Sequence, residues 1–228
     1  MSDLVELYEV IARCPDCELS ATRTRAVPGE GPENAQIMFI GEGPGFNEDK
    51  SGRPFVGAAG QFLDKLLASI DLRRADVSIT NVVKCRPPNN RDPLPGEIEA
   101  CRKYLDRQIA LIRPKVVVTL GRYSMGRWFP GASISRIHGQ PKVVDGMTIV
   151  PMFHPAAALH QERYRALIQE DFLRLPSILE RALASAVAAA PAPVADASAV
   201  APSSIPPPTA AEQERTAEPV TAQQMRLL

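Results

Sequence analysis

The apolar residues follow two alternating rhythms over most of the chain. Ser2 is placed to cap a first helix that carries Leu4, Leu7, Tyr8 and Ile11 on one face. Residues 36–40 (QIMFI) form a short continuous apolar run stopped by Gly41, the pattern of a buried strand. Helical spacing returns over residues 60–70, through Phe62, Leu63, Leu66, Leu67 and Ile70. Residues 77–83 read as a second strand, and a helix after Pro95 turns Ile98, Cys101, Leu105 and Ile109 inward. Residues 115–120 (KVVVTL) read as a third strand ended by Gly121. Val143 and Val144, an Asp145-Gly146 turn and residues 148–150 make a hairpin, or a loop into a fourth strand. A last helix is predicted from about Gln161 to Ala184.

Near-continuous apolar strands that alternate with amphipathic helices predict an α/β fold with a mainly parallel sheet. Such sheets bind ligands beyond the carboxyl ends of their strands. The residues just past those ends are Gly41 to Gly45 (GEGPG), Asn81, Gly121-Arg122 and Phe153-His154-Pro155. A glutamate in a glycine-rich turn, an amide and an imidazole therefore converge on one rim.

Composition changes after Ala184. Residues 185–228 are rich in Ala, Pro, Ser and Thr, with almost no large side chains before the last few, so they bury too little surface to offset chain entropy. The expected organisation is a domain over residues 1–184 followed by a disordered tail over 185–228. The chain's 26 Lys and Arg balance 26 Asp and Glu, which excludes a polybasic protein and requires any nucleic-acid contact to come from a local patch. No apolar run reaches membrane-spanning length, and the acidic, amphipathic start is unlike a signal peptide. A cytoplasmic protein without a membrane partner is expected.

The four cysteines are Cys14, Cys17, Cys85 and Cys101. A C-x-x-C pair puts two sulfurs on one turn, and four thiolates suit zinc or an iron–sulfur cluster. The distance in sequence between Cys85 and Cys101 is too long for a zinc knuckle, which favours a [4Fe–4S] cluster. The glycine-rich turn by itself suggests phosphate binding, but it is not G-x-G-x-x-G, and Pro44 removes a backbone donor that a phosphate cradle would use.

Three segments carry a resemblance when read together: GEGPG-x-x-ED-x-x-GRPFVG from Gly41, NVVKCRPPNNRDPLP from Asn81, and MFHPAA from Met152. With the cysteine pattern, they make the chain similar to the family 4 uracil-DNA glycosylases over about residues 4–183. The resemblance implies a central parallel four-stranded sheet flanked by helices, a [4Fe–4S] cluster on the four cysteines, and removal of uracil from DNA by a monomeric enzyme that flips the nucleotide. By resemblance, Phe55 stacks on the extruded base, Asn81 reads its edge, and His154 hydrogen-bonds uracil O2 as negative charge develops. Glu42 and the Gly43 amide line the pocket. The glycosylases that place an aspartate in the first motif differ from this chain, which has Gly43 there. Glu42 is the expected electrostatic group, and Glu48 the pocket-wall or water-positioning residue.

Lys84, Arg86, Arg91, Arg122, Arg127 and Arg136 are candidate phosphate contacts near the strand ends. The segment after His154 resembles a loop that enters the minor groove, with Leu159 the candidate wedge. His138 and His160 are read as structural or surface groups. The final residues, with Gln224, Leu227 and Leu228, resemble the short peptides that dock bacterial repair proteins on the sliding clamp. A different class of reading is a non-catalytic iron–sulfur module that binds nucleic acid; it has no need to keep Phe55, Asn81 and His154 together. Electron transfer through the cluster is a third reading, but no motif for a partner cofactor supports it.

Overall fold

A computed structural model describes residues 2–188. In chain order the elements are α1 (Asp3–Arg13), α2 (Leu19–Thr22), β1 (Ile37–Gly41), α3 (Phe46–Ser51), α4 (Ala58–Ala68), β2 (Ser78–Asn81) and α5 (Pro95–Ile112). They continue with β3 (Val116–Leu120), α6 (Arg122–Gly126), α7 (Ile134–Ile137), β4 (Lys142–Val144), β5 (Met147–Met152), α8 (Ala157–His160), α9 (Glu162–Leu173) and α10 (Leu175–Ala188). The Ser2 side chain accepts from Val5 N–H and caps α1.

The strands form one sheet in the order β2-β1-β3-β5-β4. The first four run parallel, and β4 pairs antiparallel with β5 through the Asp145-Gly146 turn. The parallel sheet of four strands thus gains a fifth at its edge, because the two-residue turn folds residues 142–144 back as a true hairpin. Strand order reverses between β1 and β3, where an open parallel sheet forms its ligand crevice.

Both faces of the sheet are covered, which is why its strands read as unbroken apolar runs. Ile37 and Phe39 pack on one side with Leu63, Leu66 and Leu67 of α4 and with Phe172 of α9. Phe39 stacks on Phe172 at 5.6 Å between centroids. Met38 and Ile40 face the other way, toward Leu4 and Ile11 of α1 and Leu105 and Ile109 of α5. Among the described residues no helix is long and apolar enough to cross a membrane.

The expected single C-terminal helix is two. It breaks at Arg174 because Pro176 has no N–H to donate and its ring would strike the carbonyl of the preceding turn. Leu175 and Ile178 then turn into the core as a second helix begins. That helix runs past the expected boundary at Ala184 to Ala188. The rest of the expected tail, including Gln224, Leu227 and Leu228, lies outside the described residues.

Candidate active site

A cleft of about 410 Å³ opens at the carboxyl ends of β1, β2 and β5. Glu42, Gly43, Glu48, Phe55, Asn81 and His154 all line it. Residues separated by more than a hundred positions in sequence meet there because three parallel strands end at the same rim.

Clearance is set by glycine. A Cβ on Gly41 would stand 2.4 Å from Asn81 Oδ1 and 2.6 Å from the Phe55 ring, so the amide and the aromatic close on one another over a bare backbone. Gly60 of α4 plays the same part behind Phe55, where a Cβ would lie 1.7 Å from the Phe55 carbonyl oxygen. Phe55 itself adopts φ +52°, a conformation that costs a residue with a side chain of order 1 kcal/mol or more. Arg74 holds the turn in place: its guanidinium donates to the carbonyls of Phe55 (2.9 Å) and Pro54 (2.5 Å) while pairing with Glu30 and Asp64. The Phe55 ring then lies 5.5 Å from that of His154, 25° from parallel.

Asn81 ends β2 and is only 2 % exposed. Among the described residues its carboxamide makes no hydrogen bond, although its backbone is pinned on both sides. Val82 N–H donates to Gly41 O, and Lys84 Nζ donates to Asn81 O at 2.7 Å. The amide lines the cleft, so its free donor and acceptor are open to a ligand there.

His154 follows β5. The Ala156 N–H donates to its Nδ1 at 3.1 Å. Burial pushes its pKa down to about 4, with Glu48 opposing, so the ring is neutral near pH 7. A neutral imidazole that accepts at Nδ1 carries its hydrogen on Nε2, which makes Nε2–H a fixed donor. Glu42 is the opposite case. Burial, then nearby Asp92, pushes its carboxyl up to about 6, while Arg122 opposes.

Glu48 is more constrained than a free loop carboxylate. Its Oε1 accepts from Val56 N–H and Gly57 N–H, each at 2.8 Å, and its Oε2 accepts from Gly45 N–H at 3.1 Å. It fastens the glycine-rich turn to the Phe55 turn and forms the cleft wall between them.

The candidate phosphate contacts divide. Lys84 is corrected: it is 1 % exposed, and its Nζ donates to Thr80 Oγ1 (2.6 Å), Gln108 Oε1 (2.7 Å) and Asn81 O. The chain turns inward after Asn81, so this cation serves the interior and cannot reach a phosphate. Lys84→Met is expected to lose about 1–3 kcal/mol of stability by stranding these acceptors, visible as a lower unfolding midpoint; a DNA contact would instead weaken binding at an unchanged midpoint. Arg91 lines the cleft but is forked onto Glu97. Arg122 pairs with Asp92, and Arg127 with Asp106. Arg86 and Arg136 make no ion pair among the described residues, and Arg136 is exposed. Leu159 is exposed on α8. His138 is tied to Asp171 at 2.8 Å and packs on Phe153, and His160 is exposed at the end of α8.

The four cysteines line one small pocket between α1, α5 and the segment after β2. Three N–H groups point at their sulfurs: Arg23 Nη1 to Cys85 (3.1 Å), Lys84 N to Cys101 (3.3 Å) and Asp16 N to Cys14 (3.5 Å). Among the described residues no three or more metal-binding side chains converge on a point that would hold a single ion.

Sequence reasoning missed Asn90 and Pro87 as cleft-lining residues, and Arg74 as the clamp behind Phe55. Asn90 sits in a proline-rich loop with no periodicity, and nothing local to Arg74 links it to residues twenty positions earlier. The glycines offered the one available signal, since a glycine at a strand end or within a helix points to a close approach.

Comparison with known proteins matches residues 28–174 to the uracil-DNA glycosylase superfamily model. The chain is 49 % identical over 187 residues to a type-4 uracil-DNA glycosylase of Sulfurisphaera tokodaii, covering 77 % of this chain and 84 % of that protein. It is 46 % identical over 184 residues to one of Archaeoglobus fulgidus, covering 77 % and 92 %. A third, from Thermotoga maritima, is 42 % identical over 185 residues, covering 77 % and 96 %. By sequence, the chain belongs to the type-4 branch of the uracil-DNA glycosylase superfamily.

Proposed function

We propose that this protein hydrolyses the bond between uracil and deoxyribose in DNA, releasing uracil and leaving an abasic site. The observation that carries the reading is the unpartnered Asn81 carboxamide, set in one cleft with the Phe55 ring and the His154 donor. The amide can accept from uracil N3–H and donate to O4, whereas cytosine presents the reverse pattern. Rings 5.5 Å apart leave no room for a third between them, so the base meets Phe55 and His154 from the open side of the cleft.

In the reaction the bond from N1 to C1′ breaks, and its electron pair passes into the uracil ring and toward O2. His154 Nε2–H is the donor placed to stabilise that oxygen. The sugar becomes electron-poor at C1′, a water oxygen adds there, and the water gives up its proton. Glu42 as carboxylate balances the positive sugar and takes up that proton. Glu48 holds the two loops that shape the cleft. Incubating the protein with a uracil-containing oligonucleotide, then alkali, tests the proposal. Strand breaks at uracil are expected, and intact strands with folded protein present would overturn it.

Glu42 carries its own pH signature. The rate should rise as pH increases through about 6, where its carboxyl ionises, and Glu42→Gln should remove that rise. A folded pKa above the unfolded value contributes stability below the unfolded value of about 4.5 that is lost as pH rises through about 6. Glu42→Gln should therefore gain up to about 2 kcal/mol on the parent between pH 4 and pH 8. A pH–rate profile shared by parent and variant would remove Glu42 from the mechanism.

The cysteine pocket, lined by four thiols with three N–H donors pointing at their sulfurs, suits an iron–sulfur cluster. Cys14, Cys17, Cys85 and Cys101 would hold a [4Fe–4S] cluster, whose contribution is to cross-link α1, α5 and the segment after Asn81. Purified protein is expected to be brown with about four irons per chain; a colourless protein with one zinc would contradict this. We also propose that the terminal peptide with Gln224, Leu227 and Leu228 docks on a sliding clamp, a reading that rests on sequence. A peptide of residues 219–228 that fails to bind purified clamp at high micromolar concentration would end it.

A further inference from the structure

We propose that Phe46, with Lys50 and Arg86, is a stacking site for an unpaired base next to the target uracil; this rests on the glycosylase reading. Phe46 opens α3 immediately after Gly45, and 49 % of the residue is exposed, where an aromatic side chain would ordinarily be buried. Lys50 Nζ lies 4.2 Å and Arg86 Cζ 5.1 Å from its ring centroid. Neither cation makes an ion pair among the described residues, whereas Arg91, Arg122 and Arg127 each do.

The position joins this group to the cleft on two sides. Gly45 and Glu48, flanking Phe46, line the cleft. Arg86 Nε donates to Asn90 Oδ1 at 2.7 Å, and Asn90 lines the cleft too. A strand with one base in the cleft must carry its next nucleotide across this rim. An aromatic face with two unpaired cations is the combination that holds single-stranded nucleic acid without sequence preference, the ring taking a base and the cations its phosphates. In a duplex the neighbouring bases stay stacked in the helix, so the site serves single strands and frayed ends.

The test compares single-turnover kcat/KM for the parent, Phe46→Ala and Phe46→Tyr on three uracil substrates: a single strand, the same strand with abasic analogues on both sides of the uracil, and a duplex. Phe46→Ala is expected to lose about 5- to 100-fold on the normal single strand, and at most about twofold on the duplex. Phe46→Tyr should keep parental rates. On the strand with abasic neighbours the parent should fall to the level of Phe46→Ala. An equal loss on normal and abasic-flanked strands, no loss on either, or a parent active on duplex alone would overturn the site. A parent inactive on every uracil substrate would instead overturn the glycosylase reading. Because Phe46 is exposed, all three proteins should unfold at the same temperature.

Discussion

Replacing His154 with alanine should slow single-turnover release of uracil by about 10²–10³-fold, the loss expected when one fixed donor is removed from the oxygen that gains charge. The size of the effect follows from preorganisation. The Ala156 N–H occupies Nδ1, so the proton stays on Nε2 and nothing has to reorient as the bond breaks. The pH dependence is part of the same prediction. With the pKa pushed down to about 4 by burial, the donor stays neutral across the physiological range, and His154 imposes no fall in rate until the pH approaches 4. A folded pKa below the unfolded value gives stability that is present above about pH 6.5 and lost as the pH falls through about 4. His154→Ala should therefore resist acid better than the parent by a few kcal/mol, while being far slower. A variant with near-parental rate would move the anion-stabilising role elsewhere in the cleft.

Asn81→Ala should lose activity by about 10²-fold or more with little change in unfolding temperature. Both halves have one cause. The carboxamide makes no hydrogen bond among the described residues and faces the open cleft, so removing it strands no protein partner while it deletes the group that reads the base. Loss of both contacts to the uracil edge removes discrimination as well as affinity. A packing residue would behave in the opposite way, with a lower unfolding temperature at a preserved rate. Measured side by side, the unfolding midpoint and the single-turnover rate separate the two roles.

The sheet was legible because burial on both faces leaves unbroken apolar runs such as residues 116–120, and the strand ends followed from the glycines and polar residues that stop them. Gly41, Asn81 and His154 could be placed at one rim from that rule alone. What sequence could not show was direction. Lys84 sits three residues after Asn81 in a segment full of loop residues, and its sequence gives no sign that the chain turns it inward onto Thr80 and Gln108. Glu48 was expected on the pocket wall, but how it is held there was not legible, because its three partners are backbone N–H groups, which no side-chain pattern reports. The break before α10 was visible as Pro176 but is overshadowed by strong helical spacing on both sides. Phe46 escaped notice because a single aromatic in a polar segment has no periodicity to flag it.

The central claim is that one planar base meets Phe55, Asn81 and His154 together. A crystal structure of the protein with free uracil tests it most directly. The account predicts the ring in the cleft against Phe55, with the Asn81 carboxamide on N3–H and O4 and His154 Nε2 on O2. Uracil bound elsewhere, or held with any one of the three side chains turned away from it, would contradict the account.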